Sequence, residues 1–351
     1  MHKLDTKLQK IVDLFLVKGE TQSSGVYNEL INLGEDISLV TVKRALSELE
    51  SLEILISIGS GRSTGYIISP LGRLYANIDA KGYCAIEPDK RYGLKQFNFD
   101  LFPAVPNQIL SDEELEKLNK VTTKYAKKTK DISTTIQKKE LERLVIELSW
   151  KSSKIEGNTY TLLDTEKLIL ENKKAEGHSK EEAQMILNHK DAFNYIHQNS
   201  SQFKTVSRKN IEELHTILTK NLGVSLGLRS KIVGVTGSIY HPLDNIHQIT
   251  EAIESLTNAI SRVSTPYEKA LLALLGISYI QPFEDGNKRT GRLMTNAILL
   301  AHNCAPLSYR SVDENDYREA MMVFYELNSL IPLKNIFIEQ YMFAAENYAI
   351  K

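Results

Sequence analysis

The sequence predicts a mainly α-helical protein that begins with a small α+β region. Two observations carry this. Apolar residues recur at helical spacing from residue 111 almost to the C-terminus, with one sizeable interruption at 223–246. Ahead of them, three shorter helical patterns are followed by a glycine-rich hairpin pattern over 54–68.

The first element, over residues 6–17, places Leu8, Ile11, Val12, Leu14 and Phe15 on one helical face, and Gly19 stops it. A second helix is expected to start at Ser23 or Ser24 as cap, to carry Val26, Leu30 and Ile31 inward, and to end near Gly34. In the third, Ser38 caps residues 39–52, with Val42, Leu46, Leu49 and Leu52 inward and Thr41, Lys43, Arg44 and Ser47 outward. The hairpin pattern follows, with Arg62 at its tip. Three helices and a hairpin resemble a winged helix-turn-helix over residues 1–80. That reading would place Lys43 and Arg44 in a DNA major groove and Arg62 on phosphate. Acidic side chains slightly outnumber basic ones up to Ile68, so a protein-docking module stands as an equal alternative.

Residues 81–110, with Pro88, Pro103, Pro106 and aromatics in no helical period, read as a packed connector. Ser111 with Glu114 three residues on marks the start of a helical domain over 111–351. No repeat or low-complexity run interrupts it.

With 351 residues, 42% of them hydrophobic and 25% charged, the chain should form two or three domains with substantial cores. The formal net charge of -1 removes any bulk electrostatic case for nucleic acid or membrane and leaves only a local basic patch. Cys84 and Cys304 have no metal-ligand or CxxC spacing, which fits a reducing compartment. The start of the chain lacks a long apolar region, and its longest apolar run, 270–280, is too short for a bilayer. A cytoplasmic protein with no membrane partner is expected.

The segment that carries chemistry is Gln281, Pro282, Phe283, Glu284, Asp285, Gly286, Asn287, Lys288, Arg289, Thr290, Gly291, Arg292, set between two apolar helices. The second of these should start near Asn287, so the turn offers backbone N–H groups and the positive end of a helix dipole to an anion. Arg289 and Arg292, three apart, share a face and add two permanent cations. Asp285 supplies an oxygen ligand of the kind Mg²⁺ takes together with substrate phosphates. These parts describe a polyphosphate site. Taken on spacing alone, an Asp-Gly-Asn helix cap with two surface arginines is the commoner reading.

The segment resembles the Fic family signature, His-Pro-Phe-x-(Asp/Glu)-Gly-Asn-(Gly/Lys)-Arg-x-x-Arg. The likeness extends over about residues 133–341 and includes Ile211, Glu212, Glu213, Leu214, His215, similar to the family's Ile-Glu-x-Leu-His. It implies a Fic-type helical core with a small β-hairpin flap at 232–240, followed by His241. It also implies that Asp285 binds Mg²⁺, that Gly286, Asn287, Lys288 and Arg289 cradle the phosphates of ATP, and that Arg292 holds the γ-phosphate. Phe283 would anchor the loop. Family members typically transfer AMP from ATP to a protein hydroxyl. A Doc-like branch with lysine at the position of Lys288 transfers phosphate, so both groups stay open.

Where the family has its catalytic histidine, this chain has Gln281. A general base is typically worth about 10²- to 10⁴-fold, and an amide cannot take the proton. His241 beside the flap is not assigned as a substitute. Ahead of the core, an amphipathic helix near 136–157 ends in Ser152, Ser153, Lys154, Ile155, Glu156, Gly157, which resembles the family's inhibitory Ser-x-x-x-Glu-Gly motif. The resemblance implies that Glu156 pairs with Arg292 and forces ATP into an unproductive pose. The expected protein is a Fic-type adenylyltransferase scaffold, restrained by Glu156 and slowed at Gln281, acting on an unknown protein or on itself. The alternative is a catalytically silent ATP-binding regulator that meets DNA or a protein through its winged-helix region.

Overall fold

In the computed structural model, which describes residues 4–130 and 132–350, the chain divides into two units. One holds the chain up to Val105 together with Val235–His241 and Glu319–Leu333; the other holds Pro106–Gly234, Pro242–Arg318 and the chain from Lys334. Among the described residues no helix is long and apolar enough to cross a membrane. Neither Cys84 nor Cys304 is bridged.

In the first unit, α1 (Thr6–Lys18) is capped by Asp5, whose carboxylate accepts from the Leu8 N–H, and it ends at Gly19 with φ 70°. α2 (Ser23–Asn32) is followed by α3 (Leu39–Ser51), where Ser38 Oγ accepts from the Thr41 N–H. A three-stranded antiparallel sheet completes the group in the order β1 (Thr21–Gln22), β3 (Gly65–Ile68), β2 (Leu55–Ile58). Phe15, Val26, Leu30, Val42, Leu46, Leu49 and Ile68 form its shared core, and two short helices, α4 (Pro70–Tyr75) and α5 (Ala80–Cys84), follow.

Three sequence expectations change here. α2 is preceded by Gln22 with no side-chain cap bond, because the chain before it pairs as β1, an edge too short to show alternation in the sequence. Ile31 and Leu52 are exposed at 44% and 41%. Leu52 lies past the last helical residue, so the heptad-like spacing that points it inward no longer applies. On α3, Lys43 and Arg44 are exposed, and so is Val40. The Arg62 side chain lies outside the described part of the structure.

The segment 232–240, expected as a hairpin, contains no strand. A turn closes with the Ser238 N–H on Val235 O at 3.1 Å, and His241 makes one parallel bridge with Gln96. Buried Glu326 explains the difference. Its Oε1 accepts from Ser238 Oγ at 2.7 Å and from the Ile239 N–H at 3.1 Å, the latter a backbone donor that a hairpin ladder would need.

The second unit is helical. α6 (Asp112–Lys130) opens with a reciprocal cap between Ser111 and Glu114. α7 (Thr134–Ile155), α9 (Lys180–Gln198), α10 (Arg208–Leu218) and α11 (Ile246–Arg262) pack around α12 (Pro266–Ile280) and α13 (Asn287–Ala301), while α8 (Leu162–Glu171) packs on α7 and α9. α14 (Glu314–Leu327) and α15 (Ile331–Asn347) each run from one unit's residues into the other's. α12 is buried on nearly every face, as its unbroken apolar run requires. Its start is fixed by a capping box between Thr265 and Glu268, whose Oε1 also accepts from the Ile109 and Leu110 N–H groups.

Glycines let α12 meet its neighbours closely. A Cβ on Gly291 of α13 would lie 3.1 Å from Leu274 O and 3.2 Å from Ser278 Oγ. The two helices thereby hold the 281–286 loop between fixed ends. Gly291→Val should force them apart and cost about 1–3 kcal/mol of stability. Thermal or denaturant unfolding of the variant checks this, and an unchanged midpoint would contradict it.

Candidate functional site

The loop between α12 and α13 begins with a left-handed residue that is not glycine. Gln281 has φ 52° and ψ 57°, and its N–H bonds Ile277 O at 3.2 Å to close α12. Such a conformation stores strain and persists only where the surroundings enforce it. Here the buried side chain does so, with Nε2 donating to Ser278 O at 2.6 Å and Oε1 accepting from Asn287 Nδ2 at 2.9 Å. From outside the loop, the buried Arg229 donates from Nε to Gln281 O at 2.6 Å and from its backbone N–H to Pro282 O at 3.0 Å.

Asn287 is the second lock. Its Oδ1 accepts from the Phe283 N–H at 2.9 Å while Nδ2 also donates to Phe283 O at 2.8 Å. Phe283 is fully buried and stacks on His215 of α10, ring centroids 3.7 Å apart and planes within 9°. Burial first, and then Arg289, pull the His215 pKa down to about 4, so the ring is neutral and Nε2 donates to Asp285 O at 3.0 Å. Gly286, at φ 80°, precedes α13, and no side chain caps the helix. The first-turn N–H groups have no carbonyl within the helix to receive them. This is the geometry that receives an anion.

Two arginines differ sharply in their settings. Arg289 is buried and its Nη2 donates to Asp285 Oδ2 at 2.7 Å, while the Asp285 side chain itself is 67% exposed. Asp285 is thus a carboxylate at the mouth of the loop. Among the described residues no group of three or more His, Cys, Asp or Glu side chains could hold a metal ion. A divalent cation at Asp285 would need its remaining ligands from substrate phosphates and water, the usual habit of Mg²⁺.

Arg292, fully buried, turns toward α7. Its Nη2 donates to Glu156 Oε1 at 2.8 Å and to Ser152 O at 2.9 Å, and its Nε donates to Ser152 Oγ at 2.8 Å. Tyr317 lies beneath the guanidinium, 5.6 Å from ring centroid to Cζ. Lys288 Nζ reaches Glu156 Oε2 at 3.4 Å. Ser152 and Glu156, one turn apart, are therefore joined to the signature helix, and the loop, its helix and the end of α7 form one cluster.

Several residues in this cluster carry no mark in the sequence. Arg229 stands alone in an irregular stretch. Arg318 donates from Nε to Ile155 O at 3.0 Å, and Glu314 takes Lys151 and Lys154, so the first turns of α14 fasten the end of α7. His189 of α9 bonds Ser152 Oγ at 2.8 Å. Its spacing from Ile186 and Phe193 does mark it as inward-facing, but not as a partner of α7.

Comparison with known proteins follows this geometry. A profile of the Fic/DOC family matches residues 205–299, which include His215 and the whole loop. The chain thus carries a Fic/DOC family domain over these residues. A Protein adenylyltransferase Fic from Nematostella vectensis is 30% identical over 178 residues, covering 48% of this chain and 41% of that protein. The protein of the same name from Drosophila melanogaster is 31% identical over 156 residues, covering 44% and 32%. The chain thus spans less than half the length of these curated relatives. A Fic domain containing signaling protein from Bacteroides thetaiotaomicron superposes with a TM-score of 0.56 at 20% identity, over 66% of this chain and 94% of that one. Fic-1 from C. elegans (residues 134–508) gives 0.56 at 18%, over 67% and 70%. At those identities the likeness is one of fold.

Glu156 has a measurable electrostatic signature. Burial alone would raise its pKa, but Arg292, then Lys288 and Arg289, outweigh it and hold the group at about 2, below its ordinary 4.5. A carboxyl depressed on folding stabilises the protein above its unfolded pKa and loses that contribution as pH falls toward the folded value. The stability difference between the parent and Glu156→Gln should therefore be full above about pH 5 and shrink between pH 4.5 and 2. Denaturant unfolding across that range reads it. A difference that does not vary with pH would contradict the pairing.

Proposed function

We propose that this Fic protein binds Mg-ATP at the α12–α13 loop, that its scaffold is built to transfer AMP to a protein hydroxyl, and that Glu156 restrains it. The observation that carries the reading is the buried guanidinium of Arg292, tied to α7 beside a helix N-terminus suited to phosphate. The curated relatives of this chain are named protein adenylyltransferases.

In this reading the N–H groups at Gly286, Asn287, Lys288 and Arg289 and the Lys288 ammonium receive the phosphates. Arg292 takes the γ-phosphate, with its permanent charge and planar donor fork. Asp285 would hold Mg²⁺, which neutralises phosphate charge when bound. Arg289 Nη2, 2.7 Å from Asp285 Oδ2, orients that carboxylate. While Glu156 occupies Arg292 Nη2, the γ-phosphate loses that donor and meets a carboxylate of like charge. Glu156 thus acts as a brake within the same chain.

Gln281 sets the rate. Both ends of its amide are engaged, by Ser278 O and by Asn287, and neither atom can accept a proton from an attacking hydroxyl at neutral pH. Gln281 preserves the shape of the loop without serving as a base. A histidine fits the same left-handed position, which tolerates His better than most side chains.

A second reading takes the same facts to a silent ATP-binding regulator, with the N-terminal helices and hairpin as a winged-helix module for DNA or a protein. The exposed Lys43 and Arg44 on α3 favour it. Turnover separates the two. Glu156→Gly combined with Gln281→His should add AMP to the protein itself or to a supplied target about 10²-fold faster or more than Glu156→Gly alone. Intact-mass spectrometry after incubation with Mg-ATP measures this and distinguishes adenylyl from phosphoryl adducts. No adduct in the double variant, with ATP still bound, would leave the regulator.

A further inference from the structure

Arg292 is held to α7 by more than the brake. Of its three hydrogen bonds there, one goes to Glu156 and two to Ser152, through Oγ and through the backbone carbonyl. Losing Glu156 would therefore not set Arg292 loose. Ser152 would keep it, provided its hydroxyl continues to present a lone pair to Arg292 Nε.

That provision traces to His189. Its Nδ1 lies 3.2 Å from Met185 O, and a carbonyl only accepts, so the ring proton sits on Nδ1. Nε2 is then a bare acceptor 2.8 Å from Ser152 Oγ, and the Ser152 hydroxyl proton points to it. With that proton committed, Ser152 Oγ faces Arg292 as an acceptor. His189, Ser152 and Arg292 are all fully buried, so no solvent competes for these bonds. Burial, with Arg289 and Arg292 near by, draws the His189 pKa down to about 3, which keeps the ring in the neutral form the chain of bonds requires.

We infer that His189 is a positioning residue for the nucleotide site: acting through the Ser152 hydroxyl, it orients the Arg292 guanidinium that remains available to phosphate once Glu156 has withdrawn. This deepens the proposed function and rests on its assignment of Arg292 to the γ-phosphate. The same serine thus belongs both to the inhibitory motif and to the orientation of the arginine in the released state.

The test uses the full chain carrying Glu156→Gly and measures Mg-ATP and Mg-ADP binding by calorimetry. His189→Phe keeps the ring and removes the acceptor; Ser152→Ala removes the hydroxyl; His189→Gln keeps an acceptor at similar reach. We expect His189→Phe and Ser152→Ala each to weaken ATP by about tenfold while ADP, lacking the γ-phosphate, changes by no more than about twofold. His189→Gln should stay within about threefold of its parent for ATP. An ATP-to-ADP affinity ratio unmoved by His189→Phe and by Ser152→Ala would overturn the inference. Should His189→Phe fail to fold, Ser152→Ala decides alone by the same ratio. Should Glu156→Gly itself bind no Mg-ATP, the assignment of the site fails, and the inference with it.

Discussion

The buried bond between Arg292 and the end of α7 is the constraint around which the site is organised. A guanidinium taken wholly out of water is tolerable only when its donors are engaged. Here Ser152 and Glu156 engage Nε and Nη2, and the cation in turn holds Glu156 ionised. An arginine so placed has two uses that exclude one another. Its Nη2 can bond Glu156, or it can present that same donor to an incoming anion. Under the proposed function, inhibition by a segment of the same chain would follow from that competition, with no need for a distant conformational change.

The loop shows how such a site is kept rigid. Gln281 adopts a left-handed conformation, Asn287 ties back to Phe283 on both of its backbone groups, and Arg229 secures the carbonyls of Gln281 and Pro282. Neutral His215 adds a ring under Phe283 and a bond to Asp285 O. Preorganised N–H groups cost nothing to reorient when charge arrives. The amide of Gln281 therefore has a structural part, though it offers no base.

How far the sequence made this legible depends on distance along the chain. The helices on either side of the loop follow from their apolar runs, and the second starts at Asn287, where the sequence places it. The approach of Ser152 and Glu156 to Arg292 could be proposed only through resemblance, since nothing in local spacing joins residues so far apart. Arg229, Arg318 and His189 lie beyond both means. Each acts through a backbone carbonyl or a hydroxyl on another element, and no composition or period signals such a bond. The region 232–240 reads as a hairpin from its β-branched residues and glycines, yet Glu326, far along the chain, takes the Ile239 N–H and the Ser238 hydroxyl. The short strand β1 escapes notice for a related reason, its register being supplied by β3.

The central claim, that Arg292 is the group contested by Glu156 and a nucleotide, is tested most directly by a crystal structure of the Glu156→Gly protein with Mg-ATP. The account predicts a triphosphate on the first turn of α13, its terminal phosphate within hydrogen-bond reach of Arg292 and the metal between the phosphates and Asp285. A nucleotide bound elsewhere, or one bound at the loop with Arg292 still directed only at α7, would contradict it.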